Sequence, residues 1–263
     1  MRLLIIIPTV LSFVLTGCTV KTIEKKIPTG GFVIYTEQLT VEKNNASPAR
    51  WFVLIEGDGA AWLTPTRPPI DPTPENSAVL ELAKTIHQRS KANVLYLARP
   101  CQYPKKTGIR CQLKHWTTER FSTKHVDALL GAFAREVPPG SQVTLFGHSG
   151  GGVMALQLAG RLGDKVAIRK IVITGTPVDV NEWTRANGFS DLTVENYLDS
   201  LRALAARTVP VFALFGDLDS VVPEKYMGIA AEAGLSIQTR ELTNTSHGQL
   251  ARSESTLEIL LDP

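Results

Sequence analysis

A serine stands between glycines in Gly147-His148-Ser149-Gly150-Gly151, after the run Val143-Thr-Leu-Phe and before Val153-Met-Ala-Leu-Gln-Leu-Ala. An apolar, β-branched run, then glycines, then a longer apolar run reads as strand, tight turn and buried helix. A side chain on such a turn takes strained backbone angles, and flanking glycines remove the clashes that would forbid them. The hydroxyl then projects at a helix N-terminus, where backbone N–H groups favour developing negative charge. That suits nucleophilic attack by Ser149 on a carbonyl. The competing reading, a phosphate-binding turn, lacks a Lys-Ser pair and dinucleotide-binding glycine spacing.

A serine hydroxyl is a weak nucleophile and needs a base, which in turn needs an orienting carboxylate. His247 stands in Thr243-Asn-Thr-Ser-His-Gly, between the last strand-like run and the last helical one. Asp217 and Asp219 stand in Phe215-Gly-Asp-Leu-Asp-Ser-Val-Val-Pro, directly after the strand-like run from Val211, and Asp179 follows the run before it. Of the other histidines, His148 reads as a packing residue of the turn, and His87 and His125 fall on helical segments. His115 borders two cysteines. No His/Cys/Asp/Glu group has metal-ligand spacing, and nothing calls for a nucleotide or flavin, so neither metal nor cofactor is expected.

These residues need a frame that brings them together. Strands are predicted at Phe32–Leu39, Trp51–Glu56, Val94–Ala98, Val143–Phe146, Ile171–Thr174, Val211–Phe215 and Ile237–Leu242. Helices are predicted at Glu75–Ser90, Thr118–Val137, Gly151–Leu162, Val194–Arg207, Pro223–Ala233 and Gln249–Leu261. The alternation predicts an α/β fold, a mostly parallel, doubly wound sheet flanked by helices. Three stretches break the rhythm: Gly57–Pro74, Arg99–Trp116 and Thr176–Leu192. Each follows a strand, so all should gather at the carboxyl edge of the sheet, where such folds bind ligands. None is long enough for a large lid domain. Trp62, Trp116 and Trp183 lie in or beside these loops; core packing is their default reading, a shared apolar substrate wall the sharper one.

With Ser149, the acid and His247 in that chain order after successive strands, the chain resembles the α/β-hydrolase superfamily over roughly Phe32 to Leu261. The family pattern Gly-x-x-Asp-x-x-Val-Pro is matched by Gly216, Asp219, Val222 and Pro223, which favours Asp219 over Asp217 as the acid. The resemblance implies a Ser149–Asp219–His247 triad, with the N–H groups of Gly150 and Asp58 as an oxyanion hole. It implies a serine hydrolase, esterase-like, acting through an acyl-enzyme on a small-molecule acyl substrate. A peptidase or thioesterase of the same fold, and a non-enzymatic binding module, are the alternatives. The chain departs from the pattern at Glu56, where many relatives carry histidine. Glu56 is expected to point away from the oxyanion, hydrogen-bonded or paired with Arg67 or Arg99.

The N-terminus addresses location. Arg2, the apolar run Leu3–Leu15 and Thr16-Gly17 before Cys18 read as an export signal over residues 1–17, too short to span a membrane as a helix. Leu15-Thr16-Gly17-Cys18 is similar to the lipobox of bacterial lipoproteins, which implies a lipid on Cys18. It also implies membrane attachment in the cell envelope, facing the periplasm. Thr19 is not the aspartate that marks inner-membrane retention, so the outer membrane is expected. Residues 18–30 read as a lipidated tether and 31–263 as the hydrolase domain. Cys101 and Cys111 then remain as an even pair, expected to form a disulfide in an oxidising compartment. The net charge of +3, from 28 basic and 25 acidic residues, argues against a nucleic-acid partner.

Overall fold

The computed structural model describes residues 21–40, 48–61, 64, 67–223 and 226–262. The export signal, Cys18 and Trp62 lie outside them.

In chain order the elements are β1 (Lys21–Thr29), β2 (Phe32–Thr40), β3 (Arg50–Ile55), α1 (Ala78–Ser90), β4 (Asn93–Leu97), α2 (Pro104–Thr107), α3 (Thr123–Glu136), β5 (Gln142–His148) and α4 (Gly150–Arg161). They continue with β6 (Ala167–Thr174), α5 (Val180–Ala186), α6 (Tyr197–Ala205), β7 (Val211–Gly216), α7 (Gly228–Glu232), β8 (Gln238–Leu242) and α8 (Glu254–Leu261). The eight strands form one sheet in the order β1-β2-β4-β3-β5-β6-β7-β8. β1 and β2 pair antiparallel, as do β2 and β4, and every later pairing is parallel. Every predicted strand is present. Helices start later than predicted at α1, α3, α6 and α7, and the last one is split into a 3-10 segment (His247–Arg252) and α8.

Central strands are apolar because both faces are covered. Phe52, Val53, Leu54 and Ile55 of β3 are fully buried, and their side chains divide between two core layers on opposite faces of the sheet. α4 lies on one face, with every residue from Gly150 to Ala159 buried. Its entry packs so tightly that a Cβ on Gly151 would strike the carbonyls of Ile55, the last residue of β3, and of Glu56 just after it, so the glycine there is sterically required.

Two expectations are corrected. Residues 21–29, read as part of a tether, form β1, paired with β2 from Lys21↔Thr40 to Thr29↔Phe32. Gly30 and Gly31, at φ 58° and 81°, are the two-residue turn of that hairpin. Its charged side chains suit an edge strand, and Ile27 packs into the core. The second correction is α5, a helix within the stretch read as irregular loop, capped by Asp179, whose Oδ1 accepts the Glu182 N–H at 3.0 Å.

Candidate active site

Ser149 occupies the turn between β5 and α4 at φ 54° and ψ −128°, a backbone conformation costly for a side-chain-bearing residue. The turn is held in place by the Ser149 N–H, which donates to the Thr174 carbonyl at the end of β6 (2.8 Å), and by the Gly152 N–H, which donates back to the Ser149 carbonyl (3.0 Å).

Asp219 and His247 meet. His247 Nδ1 lies 2.8 Å from Asp219 Oδ2, while Asp219 Oδ1 accepts the N–H groups of Val221 (2.9 Å) and Val222 (3.0 Å). The Asp219 side chain is wholly buried; His247 is 21% exposed and so open to a ligand. Burial pushes the Asp219 carboxyl up, but His247 and the two backbone donors outweigh it and hold it below the usual range. The His247 ring packs on the His148 ring, centroids 4.9 Å apart. This sets the imidazole beside the residue preceding Ser149. Ser149 Oγ itself makes no hydrogen bond among the described residues, and serine–base contacts commonly close only once a ligand is bound. His148 Nδ1 is 3.0 Å from Thr174 Oγ1, and burial, reinforced by the charge of His247, lowers its pKa to about 3. His148 therefore stays neutral beneath His247.

The competing carboxylates do other work. Asp217 Oδ1 accepts the Thr245 N–H at 3.1 Å, tying the β7 loop to the loop that carries His247. Asp179 Oδ2 accepts the Ile229 N–H at 3.2 Å besides capping α5.

On the other side of β5, the Asp58 N–H has no hydrogen-bond partner among the described residues, and Gly150 is the first residue of α4, where N–H groups lack partners within the helix. The Asp58 carboxylate lies so close to Gly150 that a Cβ there would collide with Oδ1. It is ion-paired with Arg99 Nη1 (3.0 Å) and Arg120 Nε (2.9 Å), both arginines buried. Glu56 points away from this edge, as expected, yet pairs with neither proposed arginine. Its carboxyl accepts the Gly57 N–H (2.9 Å), Tyr96 Oη (2.8 Å) and Ser77 Oγ, and burial pushes its pKa up. Arg99 is committed to Asp58, and Arg67 is exposed. Sequence reasoning missed Arg120, and also Gln102, whose Nε2 donates to the Gly57 carbonyl at 3.0 Å.

Cys101 and Cys111 are disulfide-bonded, with Cα atoms 5.9 Å apart. Among the described residues, their sulfurs and His115 are the one group of three such donors close enough for a metal, and the disulfide removes two of the three. Trp62 lies outside the described residues, and the other two tryptophans sit in separate clusters, in line with the default reading of core packing. Trp183 packs with Val222 and Tyr226 and donates to the Val221 carbonyl (2.8 Å), whereas Trp116 belongs to the main core.

The family described as "alpha/beta hydrolase fold" matches residues 104–210, a stretch that includes Ser149 and stops short of Asp219 and His247. No curated protein matches the chain. Among solved structures, Est1E from Butyrivibrio proteoclasticus is similar at a TM-score of 0.61 and 15% identity, covering 91% of this chain and 98% of its own. A dienelactone hydrolase from Anabaena variabilis superposes at a TM-score of 0.53 and 15% identity, covering 92% and 94%. The thioesterase domain from the curacin biosynthetic pathway does so at 0.52 and 13%, covering 92% and 99%. With its mostly parallel sheet and the turn at Ser149, the chain has the α/β-hydrolase fold.

Proposed function

We propose that the protein is a serine hydrolase that cleaves carboxylic esters through an acyl-enzyme, with Ser149, His247 and Asp219 as its triad. The observation that carries the reading is the strained serine turn at the same sheet edge as the Asp219–His247 pair. His247 takes the proton from Ser149 Oγ as that oxygen attacks the carbonyl carbon. Asp219 orients the imidazole and stabilises its cation. The N–H groups of Gly150 and Asp58 receive the oxyanion, and His247 then returns its proton to the leaving alcohol and activates water for deacylation. Thioesters are the second substrate class; the structural likeness to a thioesterase domain favours them over amides. A fluorophosphonate probe tests the assignment. Labelling of the wild type that disappears in Ser149→Ala is expected; a wild type that never labels points to a binding module.

We also propose that Cys18 carries lipid and holds the protein to a membrane of the bacterial envelope. β1 runs in the same direction as β5, so Lys21 opens at the amino edge, opposite Ser149. An anchor three residues before it would turn the catalytic edge away from the bilayer, towards water-borne substrates. Cys18→Ser should release the protein from membranes; continued fractionation with them sinks the anchor.

A further inference from the structure

Gln102 is 1% exposed, and the backbone leading to it is pinned. Cys101 just before it is tied to Cys111, and the Gln102 N–H donates to the Arg99 carbonyl at 3.2 Å. The side-chain amide joins two loops. Its Oε1 accepts the Arg99 N–H at 2.8 Å, and its Nε2 donates to the Gly57 carbonyl at 3.0 Å. These partners fix which way the amide faces, since a flip would set donor against donor and acceptor against acceptor. Buried this far, neither partner has water as a substitute.

What the second bond holds is the peptide between Gly57 and Asp58. In a trans peptide the carbonyl and the following N–H lie in one plane and point in opposite directions. The direction of the Gly57 carbonyl therefore sets the direction of the Asp58 N–H. Glycine leaves such a peptide free to swivel, because no side chain restricts its backbone. A Cβ on Gly57 would lie 3.2 Å from the His148 carbonyl oxygen and 3.7 Å from Ser149 Cβ, which sets this peptide against the serine. Among the described residues, Gln102 Nε2 is the one hydrogen-bond donor to the Gly57 carbonyl. Arg99 meanwhile pairs with the Asp58 carboxylate, so Arg99 holds the side chain of Asp58 and Gln102 holds its peptide. Donation to the carbonyl also polarises the peptide and strengthens its N–H as a donor.

We infer that Gln102 is a positioning residue of the oxyanion hole, aiming the Asp58 N–H by holding the Gly57 carbonyl. The inference rests on the serine-hydrolase reading and deepens it by adding a residue outside the triad. Two measurements test it: hydrolysis of p-nitrophenyl butyrate, and competition by an alkyl trifluoromethyl ketone against fluorophosphonate labelling. Ser149 Oγ adds to the ketone carbon, its proton passes to His247, and the carbonyl electron pair becomes an oxyanion in the hole. The matching methyl ketone, which stays unreacted, is the control. Gln102→Met keeps the length and removes both amide bonds. It should lower kcat roughly 10- to 100-fold with KM held within about twofold. It should weaken the trifluoromethyl ketone by a similar factor and leave the methyl ketone unchanged. Gln102→Glu keeps the acceptor for the Arg99 N–H and loses only the donor. The same pattern is expected of it, and it covers the case in which Gln102→Met does not fold. Unchanged kcat and ketone affinity in a folded variant overturn the positioning role. So does a fall in kcat without a matching loss of trifluoromethyl ketone affinity, which would mean a general loosening of the site. Labelling of the wild type reports on the hydrolase reading separately. With Ser149 labelled, either of those results removes only the role of Gln102; a wild type that neither labels nor hydrolyses the ester removes both.

Discussion

Two carboxylates reach the serine turn from opposite sides of β5, Asp58 after β3 and Asp219 after β7, and they are held in opposite ways. Asp219 is buried among two backbone N–H groups and one imidazole. Asp58 is clamped by two guanidiniums that never lose their charge. A carboxylate that must answer a charge appearing on His247 needs its own charge uncompensated until that moment. A carboxylate beside a forming oxyanion needs the reverse, since unneutralised it would repel the transition state. In the proposed mechanism the same side chain thus serves as an electrostatic partner at one place and as a neutralised anchor at the other.

Exchanging each acid for its amide should separate these roles. Asp219→Asn keeps the shape but loses the charge and favours the wrong imidazole tautomer, so kcat should fall by roughly 10⁴-fold with little change in Tm. Comparable losses of activity and stability would mean that Asp219 is a structural residue. Asp58→Asn should show the opposite balance. It strands two buried guanidiniums and should cost about 3–5 kcal/mol in urea unfolding. If it leaves stability intact and abolishes turnover, the clamp is not what holds this loop.

How far the contrast could be read from sequence differs between the two sides. The Asp219 side was legible because each part is local: an apolar strand, a Gly-x-x-Asp-x-x-Val-Pro tail and a histidine after the last strand. The Asp58 clamp was not, because Arg120 lies in the turn before α3, inside a stretch whose pattern reads as helix. Nothing at position 120 signals a partner on the β3 loop. β1 escaped notice because an edge strand buries little; with Lys25, Lys26 and Glu24 in sequence, its charges imitate a tether, and only the Gly30-Gly31 pair marks the turn. α5 did carry a signal, Asp179 followed three residues later by Glu182, the spacing of a helix-capping pair.

The histidines sharpen the comparison by pH. His148 under the Asp219 side and His125 behind the Asp58 side both have pKa values lowered to about 3 from 6.5, chiefly by burial. As pH falls from 6.5 towards 3, the unfolded chain takes up protons that the native state refuses, so stability must fall. Each group contributes at most about 1.4 kcal/mol per pH unit. Asp219, whose pKa is depressed, adds its own loss only below its unfolded value of 3.8. Unfolding free energies at pH 7 and pH 5 should therefore differ measurably, and His125→Asn should reduce the drop. A drop unchanged in that variant would mean that His125 takes up a proton in the folded protein.

Glu56 should give the smallest effect and bears on why Asp58, two residues further along, can be clamped at all. Its carboxyl receives the Gly57 N–H and two hydroxyls, so it fixes the start of the loop whose Asp58 N–H is proposed to receive the oxyanion. Hydroxyls can turn to accept as well as donate, so an amide in place of the acid can keep its oxygen on Gly57 and donate to Ser77 or Tyr96. Glu56→Gln should hold kcat within about threefold, whereas Glu56→Ala leaves a buried N–H without an acceptor and should lower kcat by on the order of tenfold. The split matters more than either value. If the amide is as damaging as the alanine, the negative charge at position 56 is itself required, and the loop is steered by electrostatics on both of its acids rather than by hydrogen bonds on one and charge on the other.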